Sequence, residues 1–172
     1  HTLAESVRDK TLLIVTTQRG RGQFNADPVL STIESSNHTT WLDQVTENPG
    51  LGFLDAAIAG LRGHTFDAVI AFGGGSAMDA GKALSLGLAA PPDTGLKALI
   101  DDPSVAAAER VPLYAIPTTA GTGSEVTPVA TIWNHEQRKK LSLGGAFATA
   151  AFVDPALTDT LPEGPTLSTG LD

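Results

Sequence analysis

The chain has 172 residues, 41% of them hydrophobic and 17% charged, a balance that suits one soluble globular domain with a real core. A formal net charge of −8, few and scattered basic residues, and only six Phe, two Trp and one Tyr argue against nucleic acid or an anionic membrane surface as its main partner. Cysteine is absent, so disulfide and thiolate chemistry are ruled out and a reducing cytoplasm is the expected setting.

Thr11 to Val15 is a compact apolar run, expected as a buried parallel strand. Thr16 to Gly22 reads as a polar loop. Pro28 to Ser35 has a weak helical face, and His38 to Leu42 reads as a second strand. Asn48-Pro49 signals a helix entry, and the apolar stripe at 51, 54, 58 and 61 continues it toward Gly63. Phe66 to Phe72 is the next strand. Ser76 with Asp79 forms a capping-box pattern that predicts a helix from Ala77 to about Ala89. Its apolar stretch, Ala83 to Ala90, is far too short to span a bilayer. Leu96 to Ile100 is a short helical turn and Val111 to Ile116 a strand. Val126 to Trp133 and Leu141 to Leu143 read as two strands flanking the charged turn Asn134 to Lys140, and Ala148 to Val153 is the last strand. Pro162 to Pro165 reads as a linker. Strands alternating with helices at this spacing predict an α/β fold with a mostly parallel sheet.

Two glycine-rich turns follow buried strands: Gly73-Gly74-Gly75-Ser76 and Pro117-Thr118-Thr119-Ala120-Gly121-Thr122-Gly123-Ser124. Main chain without Cβ atoms can approach a pyrophosphate, and the helix that follows adds partial positive charge. A tight strand-to-helix turn is the plain structural alternative, but three glycines followed by Ser76 favour function. The second turn offers hydroxyls at Thr118, Thr119, Thr122 and Ser124, which suit ribose, phosphate and carboxamide groups. A P-loop is disfavoured, because the glycine interval from Gly75 to Gly81 is one residue too long and Ala83 stands where a Ser or Thr must meet magnesium. The common G-x-G-x-x-G dinucleotide fingerprint is absent as well. Asp79 and Lys82 share a helical face, either as a surface ion pair or close to phosphate and ribose. The histidines at 1, 38, 64 and 135 show no metal-ligand spacing and read as surface residues.

Gly73 to Ala83 and Pro117 to Thr127 closely resemble signatures of the iron-containing (group III) alcohol dehydrogenases. Val153-Asp154-Pro155 and Thr169 to Asp172 look like two further landmarks of that family in the right order. The resemblance implies a Rossmann-like nucleotide-binding domain over 1–161, with 162–172 as a linker and the start of an all-helical metal-binding domain that this chain lacks. It implies NAD or NADP as cofactor, Fe²⁺ with Zn²⁺ as the alternative, alcohol and aldehyde or ketone substrates, and a homo-oligomer when full length. Gly73, Gly74, Gly75 and Ser76 would hold the pyrophosphate. Thr118, Thr119, Thr122 and Ser124 would contact adenosine and the nicotinamide side, Asp79 would sit near the nicotinamide ribose, and Lys140 would reach cofactor phosphate. Asp172 matches the first metal ligand, which in the family is joined by three histidines further along, so residues 1–172 alone are expected to bind cofactor without turning over.

Two departures stand out. Thr17 occupies a place where the family often carries a ribose-binding aspartate, with Arg19 and Arg21 nearby, which makes NADP at least as plausible as NAD. Gly81 replaces a common alanine, weakening the helix but permitting close packing. Two other readings stay open: a sibling reductase acting on polar aldehydes such as phosphonoaldehydes, and a truncated non-catalytic nucleotide-binding module.

Overall fold

The computed structural model describes residues 3–107 and 109–171. After a short helix α1 (Leu3–Ser6) come strand β1 (Thr11–Val15), helices α2 (Gln18–Ala26) and α3 (Leu30–Ser35), strand β2 (His38–Leu42) and helix α4 (Leu51–Leu61). Strand β3 (Ala68–Gly73) leads into the long helix α5 (Gly75–Ala89), then α6 (Leu96–Asp101) and strand β4 (Leu113–Pro117). An antiparallel hairpin of β5 (Ala130–Asn134) and β6 (Lys139–Leu143), a short strand β7 (Ala150–Ala151) and helix α7 (Glu163–Gly170) complete the chain.

The main sheet is wholly parallel with order β2-β1-β3-β4-β7, so the winding direction reverses between β1 and β3. Alternate side chains serve two cores. Leu13, Val15, Val69, Ala71 and Leu113 face α4, α5, α6 and the hairpin. Leu12, Ile14, Ile70, Phe72 and Ile116 face Phe24, Leu30 and Ile33 on the other side. Phe24 meets Trp41 and Phe72 edge-on at 5.3 and 5.2 Å, and its full burial contributes about 1.5–3 kcal/mol. This is the expected α/β, Rossmann-like fold.

Several local expectations are corrected. The segment 16–22, expected as loop, is largely helix α2: the Thr17 hydroxyl caps it by accepting the Gly20 amide at 2.9 Å, and buried Phe24 anchors it to the core. The capping box at Ser76 and Asp79 does not form. Helix α5 starts earlier, at Gly75, with Gly74 as a cap that has no side chain to offer. The Ser76 hydroxyl instead accepts the Asn48 amide at 3.2 Å. Val126 lies in a 3-10 turn, and the strand expected from there begins only at Ala130. The last strand shrinks to two residues, Ala150 and Ala151, which pair with Tyr114 and Ala115 of β4. Pro162 to Pro165, expected as linker, opens helix α7. Proline is tolerated there, since first-turn amides have no partner within the helix.

Candidate functional site

In doubly wound sheets, ligands bind beyond the carboxyl ends of the strands where the winding reverses. Here those ends carry Thr16 and Thr17 after β1 and the triple glycine, which begins at the last residue of β3. The second glycine turn follows β4, which pairs with β3 in a register that sets Gly73 directly opposite Pro117. The Thr118 amide donates to the Gly73 carbonyl at 2.9 Å, so the two turns leave the sheet side by side. They border one cleft of about 1060 Å³, which a smaller recess of about 170 Å³ extends past Gly73 and Thr118.

The cleft floor is backbone by necessity. Gly73 adopts φ +142°, a conformation for glycine, and a Cβ there would stand 2.9 Å from the Ala77 Cβ. A Cβ on Gly74 would come within 3.1 Å of Thr119 Cγ2, and one on Gly75 within 3.3 Å of Thr122 Cγ2. Because Gly74 supplies no capping acceptor, the first amides of α5, at Gly75 and Ser76, face the cleft at the positive end of a 15-residue helix. The Thr119 hydroxyl is buried beside them without a hydrogen-bond partner. Bare amides, a helix terminus and an unpaired hydroxyl around one recess fit a diphosphate.

The remaining expected residues are placed as follows. Thr17 lines both cavities while capping α2. Asp79 Oδ1 accepts the Ser124 hydroxyl at 2.7 Å and Oδ2 accepts the Thr131 amide at 3.0 Å, so the carboxylate binds the second turn to β5. Ser124 is 7% exposed, and Thr122 Oγ1 accepts its amide at 3.4 Å. Lys140 lines the same cleft, with its ammonium 5.1 Å from the Trp133 ring centroid. Asp172 lies outside the described residues.

Lys82 is neither a surface partner of Asp79 nor a group at the cleft. It is 1% exposed, and its ammonium donates to Ser124 Oγ at 2.9 Å, Thr127 Oγ1 at 3.3 Å and the Val129 carbonyl at 2.7 Å. Burial lowers its pKa, with Asp79 at 3.8 Å and Glu125 opposing. Of the two arginines near Thr17, Arg21 is committed: it donates to Asp43 at 2.8 Å and lies 4.8 Å from the Trp41 ring centroid. Arg19 donates to the Thr160 carbonyl and lines both cavities.

Sequence reasoning missed Asn48, Trp133 and the end of α7. Asn48 holds φ +56°, a conformation asparagine tolerates, and the sequence signal at this place, Asn48-Pro49, reads only as a helix entry. Gly121, at φ +129°, sits so close to α7 that a Cβ would overlap the Thr169 carbonyl oxygen, which brings Pro165, Ser168 and Thr169 to the cleft rim. Among the described residues, no group of three or more His, Cys, Asp or Glu side chains could hold a metal, and no helix is long and apolar enough to cross a membrane.

Comparison with known proteins identifies the family and the fold. The family model for iron-containing alcohol dehydrogenase matches residues 1–155. The chain is 43% identical over 143 residues to the probable alcohol dehydrogenase EutG of Escherichia coli, covering 82% of this chain and 35% of that protein. The crystal structure of an iron-containing alcohol dehydrogenase from Thermotoga maritima superposes with a TM-score of 0.85 at 31% identity, over 99% of this chain and 46% of that one. A sulfoacetaldehyde reductase from Bifidobacterium kashiwanohense, solved in complex with NAD+, gives a TM-score of 0.84 at 31% identity, over 99% of this chain and 45% of that one. The chain thus spans about a third to just under half the length of these relatives. On the ordered motifs, the fold and these matches together, it belongs to the iron-containing alcohol dehydrogenase family.

Proposed function

We propose that this chain is the nicotinamide-dinucleotide-binding part of an oxidoreductase that interconverts an alcohol and an aldehyde or ketone. The observation behind it is the pairing of Gly73 with Pro117, which sets the triple-glycine turn, the hydroxyl-rich second turn and an uncapped helix terminus around one cleft. The amides of Gly75 and Ser76 hold the diphosphate, with the Thr118 and Thr119 hydroxyls beside them and the Lys140 ammonium opposite. Asp79 and Ser124 keep the second turn in place along the nicotinamide side. When bound, such a cofactor supplies or accepts a hydride at its nicotinamide ring.

NADP is proposed as a cofactor on at least equal terms with NAD. Thr17 offers no carboxylate to repel a 2′-phosphate, and Arg19 faces the same recess. Fe²⁺, with Zn²⁺ as the alternative, belongs to the whole protein's chemistry by family. The described residues do not form a site for it, so no step here passes through a metal. Residues 1–172 alone are proposed to bind cofactor without turnover, and the whole protein to work as a homo-oligomer in the cytoplasm.

Calorimetric titration with NAD+, NADH, NADP+ and NADPH tests the reading. Saturable binding of at least one is expected, and none with any of the four overturns it. A second reading, reduction of small aldehydes bearing a phosphonate or sulfonate, is favoured by the likeness to the sulfoacetaldehyde reductase. Faster turnover of such anionic aldehydes than of propanal by the whole protein would select it.

A further inference from the structure

Lys82 is the one lysine of the described residues fully enclosed by protein, and it makes no direct approach to the cleft. An enclosed ammonium carries a large desolvation cost, and an apolar side chain of similar length would pack there without it. What the charge provides is direction. All three of its acceptors, Ser124, Thr127 and Val129, belong to the stretch that runs from the end of the second glycine turn to β5. This segment has little regular structure of its own beyond the 3-10 turn Ser124–Val126.

The contacts continue to the cradle. Ser124 gives its single hydroxyl hydrogen to Asp79 and accepts from Lys82, so its rotamer is fixed from both sides. Its amide faces Thr122 Oγ1 at 3.4 Å, and Thr122 is the residue against which Gly75 packs. A line of contacts therefore runs from Lys82 through Ser124 and Thr122 to the first amide of helix α5.

We propose that Lys82 is a positioning residue for the cofactor, its enclosed ammonium holding the second glycine turn against helix α5 so that the amide cradle keeps its shape. The inference rests on the dinucleotide reading above. Lys82→Met keeps length and volume but removes the ammonium, and Ser124→Ala removes the hub. Dissociation constants for NADH and NADPH, with melting temperatures, are measured on the wild-type chain, both single variants and the double variant. Each single variant is expected to weaken binding about tenfold, and the double variant no more than about tenfold, because both changes act through one contact. Binding by K82M within about twofold of wild type, or losses that multiply in the double variant, would overturn the inference while leaving the dinucleotide reading intact. Failure of the wild-type chain to bind either cofactor would overturn both. If K82M does not fold, Thr127→Val removes one acceptor and leaves the ammonium in place. It is expected to weaken binding about threefold and to speed amide exchange across 118–124, and unchanged values for both would also overturn the inference.

Discussion

Gly81 of helix α5 lies against Ala71 of strand β3 so closely that a Cβ on Gly81 would stand 2.6 Å from the Ala71 methyl carbon. Neither partner can yield cheaply, since both sit in the packed core between helix and sheet. The helix whose amino end forms the cradle is therefore seated on the sheet by the absence of one methyl group. Gly81→Ala is expected to destabilise the chain by about 1–3 kcal/mol despite alanine's better helix propensity, because the overpacking outweighs it. Chemical denaturation checks this, and a stabilised variant would contradict the packing argument.

Gly73→Ala tests the cradle itself. The change forces a side chain into φ +142° and toward Ala77, so a loss of about 1–3 kcal/mol is expected together with weakened cofactor binding. Unfolding curves and calorimetry on the same sample separate the two effects.

Cofactor choice turns on the recess beside α2. Arg19→Ala is expected to weaken NADPH binding by up to about fivefold and to change NADH binding by less than about twofold, the size of a solvent-screened charge contact. Thr17→Asp is expected to shift preference toward NADH. Equal effects on both cofactors would place the adenosine end elsewhere.

Enclosure makes Lys82 a source of pH dependence. Its pKa in the folded chain is held below the ordinary 10.5 by burial, while Asp79 and Glu125 pull the other way. Between that lowered value and 10.5 the unfolded chain holds more protons than the folded one, so the site's contribution to stability rises with pH across the window. Below the window the charged form carries its full burial cost. The difference in unfolding free energy, wild type minus K82M, is expected to grow with pH over that range. A flat difference would show that the ammonium titrates as it does in water.

Asp67 has the opposite sign. The Thr11 amide, donating at 2.8 Å, lowers its pKa below 3.8, and Lys10 adds to this against partial desolvation. The stability it supplies is fully present above 3.8 and is lost as pH falls through the lower folded value. Asp67→Asn is expected to cost well under ~1 kcal/mol at neutral pH, given the carboxylate's exposure, and nothing at strongly acid pH. Acid titration of both proteins measures it.

The central strands, the two glycine turns and the family were legible in the residues themselves, because buried parallel strands are short apolar runs and glycine marks where backbone must serve as surface, whereas helices α2 and α7 read as loop and linker. Binary pattern does not encode pairing partners. The sequence shows two turns, but only strand order and register reveal that Gly73 faces Pro117 and that winding reverses beside Thr17. Composition likewise cannot tell a solvated lysine from an enclosed one. Lys82 follows Asp79 at ordinary helical spacing, and its fate was decided by the segment 124–129 folding over it from more than forty residues away. Local chemistry determined which elements form and which atoms they present. Long-range packing decided which of those atoms meet, since it depends on how buried faces fit together and not on the order in which they are spelled.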